Sequence, residues 1–465
     1  LKICWRGTCL TSKSPRLILL QPTMHNTAIQ TDSCVHCIQS LVENSELKTH
    51  VKQILIALMI FPMFAFGQVC AAEELHGSEL VTAFWSASTE AEIESSKRQL
   101  IARAADIETL YKWLDAGPAF AQDVALGQQE SARIDIDGTR YPFVYLIPET
   151  YDATRSYPVE FMLHGGVSRP EWEPGGEWWR RGYESLKKED RIVVVPAAWN
   201  AAFWWFENQA HNLPSILREL KQTYNIDDNR VTLSGVSDGG TGAYFFAFKQ
   251  STQWAAFLPY IGHPGVLRNP QSGPGYKLFF ENLMSRPLYI VNGENDPLYP
   301  VSSVEPFINI LQEANIDHVF RAIEDGGHNT NWLPDEQPMI EQFKLDNPRD
   351  PFPNQLRWVT DRSDRYNRNL WMRIEELAVE GQPGIMTVSR QGNSFTVTAE
   401  SVDAFTLLLS PEQVDFSEQI QVVVNGRSLF IGKVEQDMNT LLDWVVRDRD
   451  KSLLYTAALS LRVNP

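Results

Sequence analysis

The chain has 465 residues, of which 43% are hydrophobic and 21% are charged, and its formal net charge at pH 7 is −17. This length leaves room for two or three domains with substantial cores. A strongly acidic chain lacks the basic face that a phosphate backbone requires, so we expect no nucleic-acid partner.

The amino-terminal region contains an apolar run of 13 residues, 54–66 (ILIALMIFPMFAF), which follows Lys52 and precedes small residues. This pattern is typical of a secretory signal peptide and is shorter than the ~20 apolar residues that cross a bilayer. We predict a signal peptide at 51–72, a periplasmic or secreted location and no stable membrane anchor, with a buried helix as the alternative. Residues 1–50 show no clear periodicity and are predicted to be an upstream extension of the gene model.

All five cysteines precede the predicted cleavage site: Cys4, Cys9, Cys34, Cys37 and Cys70. Cys34 and Cys37 have the spacing of half a zinc site, but no second Cys or His pair follows at the required distance. We therefore expect no metal site, and the mature chain would have no disulfide and no cysteine nucleophile.

The segment 73–127 is predicted to be helical, because apolar residues in 95–114 recur at helical spacing. Alternating residues on either side of Asp137-Gly138 then predict a β-hairpin. Through 128–346, continuous apolar strands alternate with helices, which predicts a doubly wound, mostly parallel α/β sheet covered on both faces. The predicted strands are 157–163, 191–198, 231–235, 255–262, 287–293 and 318–325, and the predicted helices are 212–224, 241–250 and 307–314.

The pattern changes at 347–355 (NPRDPFPNQ), which we interpret as a proline-rich linker. Residues 356–465 are predicted to form a small, mainly-β carboxy-terminal domain. Asn425-Gly426 lies between two alternating runs and predicts a tight hairpin, and 438–448 is the one helical pattern in this part.

The stretch VTLSGVSDGG (231–240) places Ser237 between Gly235 and Gly239, directly after a predicted strand and before a predicted helix. A G-x-S-x-G pattern alone is common. The strand–turn–helix setting, however, is the one that a nucleophile elbow requires, and a helix amino terminus favours a developing anion.

A serine hydroxyl needs a base, and on this type of sheet the expected chain order is Ser, acid, His. Asp296 follows the strand 287–293, and His328 lies on the loop beyond the last strand. Ligands bind at the carboxyl ends of such strands, so we predict Ser237, Asp296 and His328 as the catalytic residues. Asp325 and Glu294 are the alternatives to Asp296.

Backbone N–H groups at two positions are predicted to stabilise an oxyanion. His164-Gly165-Gly166 follows a predicted strand, and its glycines would expose their N–H groups. We assign Gly166 or Gly165 as one donor and the N–H of Asp238 as the other. A plain loop is the alternative.

Aromatic residues crowd the region before the nucleophile: Trp172, Trp178, Trp179, Trp199, Trp204 and Trp205. Such residues either form a binding wall for sugars or phenolic rings or pack a long insertion, and the two interpretations stay open. We predict that substrate contacts His164, Trp204, Trp205 and His263. His211 could also line the pocket, whereas His318 is predicted to be structural.

These motifs, HGG at 164–166, GVSDGG at 235–240, GENDP at 293–297 and GGH at 326–328, resemble those of the α/β-hydrolase fold. Within it, the chain is similar over roughly 130–346 to secreted bacterial esterases and prolyl-oligopeptidase-like hydrolases, including feruloyl-esterase-like and polyhydroxybutyrate-depolymerase-like proteins. The resemblance implies a Ser-Asp-His hydrolase with no metal or organic cofactor.

The function expected from this resemblance is cleavage of carboxylic esters through an acyl-enzyme intermediate. The expected partner is a small ester or short peptide, which could be carbohydrate-linked. The first alternative is a serine peptidase acting on short peptides; no β-propeller fits before the hairpin, so that function would rest on the catalytic domain alone. The second is a non-catalytic protein that binds carbohydrate or another protein.

Overall fold

The computed structural model describes residues 77–170 and 186–463. The predicted signal peptide, the upstream extension, all five cysteines and Trp172, Trp178 and Trp179 lie outside the described residues. Within these two ranges, no helix is long and apolar enough to cross a membrane.

The predicted helical segment contains helical residues 77–86, then α1 (Glu90–Arg103) and α2 (Ile107–Ala116). Each labelled helix begins at a capping side chain. Thr89 and Glu92 form a reciprocal capping box on α1, and Asp106 accepts a hydrogen bond from the N–H of Thr109 at 2.8 Å on α2.

The central sheet has eight strands in the order β1-β2-β4-β3-β5-β6-β7-β8. The β1–β2 hairpin turns at Gly138, where φ is +85°. The pairs β1–β2 and β2–β4 are antiparallel, and every other neighbouring pair is parallel. The strands are β1 (Gly127–Ile134), β2 (Arg140–Ile147), β3 (Tyr157–Leu163), β4 (Ile192–Pro196), β5 (Ile226–Val236), β6 (Ala256–Tyr260), β7 (Leu288–Gly293) and β8 (His318–Ile323).

Helices cover both faces of this sheet, and separate buried clusters lie on the two sides. The helices are α3 (Glu207–Thr223), α4 (Asp238–Lys249), α5 (Val301–Glu313) and α6 (Leu333–Asp346), with short 3₁₀ helices at Pro264–Arg268 and Phe280–Ser285. The strand order and crossovers are those of the α/β-hydrolase fold, so the predicted fold class is confirmed. The sequence did not reveal α6, because Pro334 and Pro338 interrupt its pattern.

The carboxy-terminal part is mainly β, as predicted, and its strands form two sheets with the orders β10-β11-β14-β17 and β16-β15-β13-β12-β9. Their facing sides bury a core that includes Trp358, Trp371 and Phe405. The elements are β9 (Gln355–Thr360), β10 (Arg368–Asn369), β11 (Met372–Leu377), β12 (Gly384–Gln391), β13 (Ser394–Glu400), β14 (Val402–Leu409), β15 (Ile420–Val424), β16 (Arg427–Gly432), α7 (Met438–Asp448) and β17 (Ala457–Arg462).

Buried polar contacts join the carboxy-terminal part to the central sheet. Asn282 donates to the carbonyl of Val359 at 2.9 Å and accepts from its N–H at 2.8 Å. The fully buried side chain of Arg349 donates to Asn229 Oδ1 in β5 at 3.0 Å and pairs with Asp450 at 2.9 Å. A group buried in this way must keep its partner, so the two parts are held in one arrangement. The predicted domain boundaries at 346/347 and 355/356 stay predictions.

Candidate active site

Ser237 lies on a sharp turn between β5 and α4, with φ 57° and ψ −116°. This backbone conformation is unfavourable for a residue with a Cβ and is held by its surroundings, including a hydrogen bond from the Ser237 N–H to the carbonyl of Tyr260 at 2.9 Å. A Cβ on Gly235 would lie 2.2 Å from the backbone of Gly239, so the turn can close only around glycine. The predicted strand–turn–helix geometry is therefore present.

We expect Gly239→Ala to destabilise the chain by about 3 kcal/mol or more, because overpacking against backbone cannot relax. The added Cβ would lie 2.0 Å from the carbonyl oxygen of Leu163 in β3. Urea unfolding measures the effect. Gly432→Ala is the matched control, since its Cβ would approach only the ring end of Phe430, at 3.3 Å. Equal unfolding midpoints for the two variants would contradict this account of the turn.

The structure brings the three predicted catalytic side chains into one hydrogen-bonded chain. His328 Nε2 lies 2.8 Å from Ser237 Oγ, and His328 Nδ1 lies 2.8 Å from Asp296 Oδ2. The Asp296 side chain is fully buried, and that of His328 is 21% exposed. The imidazole thus bridges a buried carboxylate and a hydroxyl on the accessible side of the turn, which is the geometry of a serine nucleophile with its base.

The Asp296 carboxylate is kept ionised by its hydrogen bonds. Its Oδ1 accepts from the N–H groups of Leu298 and Tyr299, at 2.8 and 2.9 Å. Burial alone raises the pKa of Asp296, but these two N–H groups and His328 outweigh burial and leave that pKa below its usual value. A charged acceptor is therefore available to the N–H at His328 Nδ1.

The two alternatives to Asp296 lie outside the hydrogen-bonded chain of Ser237 and His328. Glu294 and Asp325 are both exposed, and Asp325 accepts a hydrogen bond from Asn295 Nδ2 at 3.2 Å. Of the three acidic residues considered from the sequence, Asp296 is the one that the structure places against His328.

The predicted oxyanion donors flank Ser237. A Cβ on Gly165 would lie 2.9 Å from Ser237 Cβ, so this glycine is directly beside the nucleophile. Gly166 has φ +69°, a conformation that glycine adopts freely. Asp238 begins α4, and its Oδ2 accepts from the Val167 N–H at 2.9 Å. This contact ties the loop after β3 to the helix, although Val167 carried no signal in the sequence.

His164 uses both ring nitrogens within the chain. Its Nε2 accepts from the Ala198 N–H at 3.0 Å, so its Nδ1 must be the donor to the Gly165 carbonyl at 2.8 Å. Burial of the ring lowers the pKa of His164 to about 4. These contacts give the neutral ring a role in holding the Gly165 loop, while substrate contact at His164 stays a prediction.

Acidification should destabilise the fold through His164. Between the usual histidine pKa of ~6.5 and about 4, the unfolded chain binds a proton at this position and the folded chain does not. The free energy of unfolding therefore falls as pH is lowered through this window. Urea titrations at several pH values measure this effect. We expect the free energy of unfolding of His164→Gln to fall less steeply with decreasing pH than that of the unmodified chain. His211→Gln should behave as the unmodified chain does, because the His211 ring is exposed. Equal slopes for His164→Gln and the unmodified chain would refute this assignment.

Trp204 and Trp205, for which substrate contact stays a prediction, are both buried in this structure. Their exposed fractions are 0% and 2%, and both belong to the main core cluster. Trp204 Nε1 donates to the His164 carbonyl and Trp205 Nε1 to the Ser272 carbonyl. Each indole therefore satisfies its N–H internally, and both act in packing.

The ring of Tyr299 contacts both His263 and the catalytic residue His328. The His263 centroid is 5.7 Å from that of Tyr299, which in turn is 5.9 Å from that of His328. The His263 Nδ1 accepts from the Gly265 N–H at 2.9 Å. His263 borders a cavity of about 680 Å³ that is also lined by Phe279 and Phe307. Its predicted contact with substrate is compatible with this position and stays a prediction.

The two remaining histidines of the described residues lie on α3 and β8. His211 is exposed on α3, and His318 lies at the start of β8, 2.7 Å from the carbonyl of Ile316. Among the described residues, no group of three or more His, Cys, Asp or Glu side chains could hold a metal ion.

Esterases are among the known proteins that this chain resembles. No protein-family model matches the chain. A bifunctional acetylxylan esterase/xylanase from Neocallimastix patriciarum is 29% identical over 156 residues, 32% of this chain and 21% of the relative. A probable feruloyl esterase C from Aspergillus terreus is 27% identical over 196 residues, 39% of this chain and 65% of the relative. The chain thus spans less than two thirds of the length of either curated relative.

Solved structures include a ferulic acid esterase from Anaeromyces mucronatus, with 15% identity, a TM-score of 0.36, and coverage of 45% of this chain and 88% of that one. The fold assignment rests on the strand order of the sheet, and the relatedness rests on the curated sequences. Together they confirm the predicted resemblance: the chain has the α/β-hydrolase fold and is similar to serine hydrolases of the feruloyl and acetylxylan esterase type.

Proposed function

We propose that this chain is a serine hydrolase that cleaves carboxylic esters through an acyl-enzyme intermediate. The observation that carries the proposal is the chain of two 2.8 Å contacts from Ser237 through His328 to Asp296. It provides a nucleophile, a base and a buried carboxylate that orients the base, which together are the requirements of this chemistry.

In the proposed mechanism, His328 Nε2 takes the proton of Ser237 while Oγ attacks the ester carbonyl. Asp296 accepts the hydrogen bond from His328 Nδ1 and stabilises the imidazolium that forms. The N–H groups of Asp238 and of Gly165 or Gly166 stabilise the oxyanion. His328 then protonates the leaving alcohol, and the same base activates the water that hydrolyses the acyl-enzyme.

The substrate class is proposed from the curated relatives, whose names identify esterases that act on acetylxylan and feruloyl esters. We propose that the chain acts on small acyl esters, including esters carried on carbohydrate. Peptide cleavage by the same three residues remains the second candidate. A non-catalytic binding protein would be expected to have a broken triad, and the hydrogen-bonded chain favours an enzyme instead.

A direct comparison of substrates tests this choice. We expect measurable turnover of p-nitrophenyl acetate and methyl ferulate, and no turnover of dipeptide p-nitroanilides at the same enzyme concentration. Esters have the better leaving group and need less help from the protein. Hydrolysis of the anilides without hydrolysis of the esters would contradict the esterase proposal and favour a peptidase.

We also propose that residues 51–72 direct export to the periplasm or medium, on the basis of their apolar core and following small residues. Intact mass of the protein recovered outside the cytoplasm tests this. A recovered chain that retains residues before Val51 would overturn it.

A further inference from the structure

The aromatic ring of Tyr299 packs against the imidazole of His328. The two ring centroids are 5.9 Å apart and the ring planes meet at 67°, an edge-to-face arrangement that aromatic pairs favour. Tyr299 lies between β7 and α5, three residues after Asp296, and its side chain is half-buried. It is therefore a neighbour of two predicted catalytic residues, although the proposed mechanism gives it no role.

The backbone of Tyr299 is fixed at both of its polar groups. Its N–H donates to Asp296 Oδ1 at 2.9 Å, and its carbonyl accepts from Asn292 Nδ2 at 3.1 Å. Asn292 is a fully buried residue of β7, so this carbonyl is tied to the central sheet. Both hydrogen bonds use main-chain atoms of residue 299 and do not depend on its side chain. A change of the ring alone should therefore leave this loop in place.

The ring of His263 also packs on Tyr299, with 5.7 Å between the centroids and 38° between the planes. His263 Nδ1 accepts from the Gly265 N–H at 2.9 Å, so its Nε2 is the donor to the Ser303 carbonyl at 3.0 Å. Both nitrogens of His263 are thus engaged within the chain, and these bonds fix the orientation of its imidazole. Tyr299 is packed between this fixed ring and His328.

The segment that carries His263 is itself held against the start of α4. A Cβ on Gly262 would lie 2.8 Å from the backbone of Gly240, so the two segments are in direct contact. Ile261 has φ 43°, a left-handed conformation that is unfavourable for a β-branched residue and persists only where the surroundings impose it. His263 is therefore a rigid support for the ring of Tyr299.

The orientation of the His328 ring depends on its side-chain contacts, because His328 lies on the loop beyond β8. Hydrogen bonds to Asp296 and Ser237 fix the line that joins its two nitrogens. These two bonds do not by themselves determine how far the ring tilts about that line. The Tyr299 ring lies against the imidazole and limits this tilt.

The hydroxyl of Tyr299 takes no part in this packing. Within the ranges that the structure describes, it forms no hydrogen bond with another residue. Burial raises the pKa of Tyr299 above its usual value, and the charges of Asp238 and Asp296 raise it further, so the phenol is neutral near pH 7. Phenylalanine at this position would therefore keep the ring contact with His328.

We propose that Tyr299 is a positioning residue for His328, whose ring, supported by His263, holds the imidazole in the orientation that accepts the proton of Ser237. The inference rests on the proposed ester hydrolysis, in which His328 is the base. Tyr299 acts through His328 and is assigned no contact with substrate. Acylation and deacylation both use this base, so the loss of the ring should slow both steps.

The first test compares Tyr299→Ala with Tyr299→Phe in steady-state hydrolysis of p-nitrophenyl acetate. We expect Tyr299→Ala to lower kcat by about 10- to 100-fold, because misplacing a reacting group by ~1 Å can cost ~10²-fold. KM should stay nearly unchanged, since both steps slow together. Tyr299→Phe should retain the kcat of the unmodified chain. Tyr111→Ala, which removes another half-buried tyrosine, from α2, is the matched control and should also retain it.

The second test does not require turnover. The proton between His328 Nδ1 and the buried Asp296 carboxylate should give a downfield proton NMR signal, which is assigned by its loss in His328→Ala. We expect the signal to persist in Tyr299→Phe and to broaden or disappear in Tyr299→Ala. Urea unfolding of the same samples verifies that each variant is folded.

Equal kcat and an equal NMR signal in Tyr299→Ala and the unmodified chain would overturn the proposal. A loss in Tyr299→Phe as large as that in Tyr299→Ala would also overturn it, because the hydroxyl would then carry the role. A raised KM at unchanged kcat in Tyr299→Ala would overturn it by making Tyr299 a substrate contact. Absence of ester hydrolysis by the unmodified chain would overturn the proposed function, and the NMR comparison would still decide whether Tyr299 positions His328.

Discussion

Replacing Ser237 with alanine is expected to lower kcat for ester hydrolysis by about 10⁶-fold, the loss seen when a serine hydrolase loses its nucleophile. Alanine retains the Cβ of serine, so the strained turn at φ 57° is unchanged and the fold should persist. The loss reflects the removal of Oγ alone, which lies 2.8 Å from His328 Nε2. Steady-state kinetics on p-nitrophenyl acetate, together with urea unfolding, measure both effects.

Ser302→Ala is the matched control, because Ser302 is exposed on α5 and outside the hydrogen-bonded chain. It should retain the activity of the unmodified chain. A Ser237→Ala variant that kept more than a tenth of that activity would show that another group is the nucleophile.

The second large effect is expected at Asp296. Asp296→Asn should lower kcat by about 10⁴-fold, because an amide can donate to His328 Nδ1 and favour the tautomer that cannot accept the serine proton. The side chain is isosteric and keeps an oxygen for the N–H groups of Leu298 and Tyr299. The free energy of unfolding of Asp296→Asn at neutral pH should therefore fall by much less than the rise in activation free energy that its loss of kcat represents.

Glu294→Gln and Asp325→Asn are the controls for this prediction, because both residues were alternatives in the sequence and both are exposed. Each should change kcat by no more than about threefold, since exposed charges interact weakly through water. A larger loss at Asp325 than at Asp296 would transfer the acidic role to the loop that carries His328.

The three predicted catalytic residues could be found from the sequence because each follows an apolar strand of a parallel sheet. The carboxyl ends of parallel strands lie on one edge, so Ser237, Asp296 and His328 converge there although up to 91 residues separate them. The glycines at 235 and 239 added a second signal, since the turn requires residues without a Cβ.

The roles of the tryptophans could not be predicted from the sequence in the same way. A cluster of aromatic residues has the same composition whether it lines a cleft or fills a core, and only burial distinguishes the two. Trp204 and Trp205 are buried and donate to backbone carbonyls, which a sequence does not display. His164 likewise gave no sign that both its nitrogens would be engaged.

Contacts between residues that are far apart in the chain were the hardest feature to predict from the sequence. A cavity of about 270 Å³ is lined by residues of α3, the end of α4, residues 364–373 and α7, which are far apart in the chain and carry no shared motif. The parallel pairing of β13 with β15 in the β part is another such case, because β alternation predicts strands but not their neighbours. These features depend on packing between elements that the local pattern does not specify.

The most direct test of the proposed nucleophile is reaction of the full chain with a fluorophosphonate, followed by mass spectrometry of its peptides. The reagent phosphonylates serines whose hydroxyl is activated by a base. We predict one adduct per chain, located on Ser237, and its disappearance in His328→Ala. A folded chain that acquires no adduct, or acquires it on another serine, would contradict the proposal that Ser237 is the nucleophile.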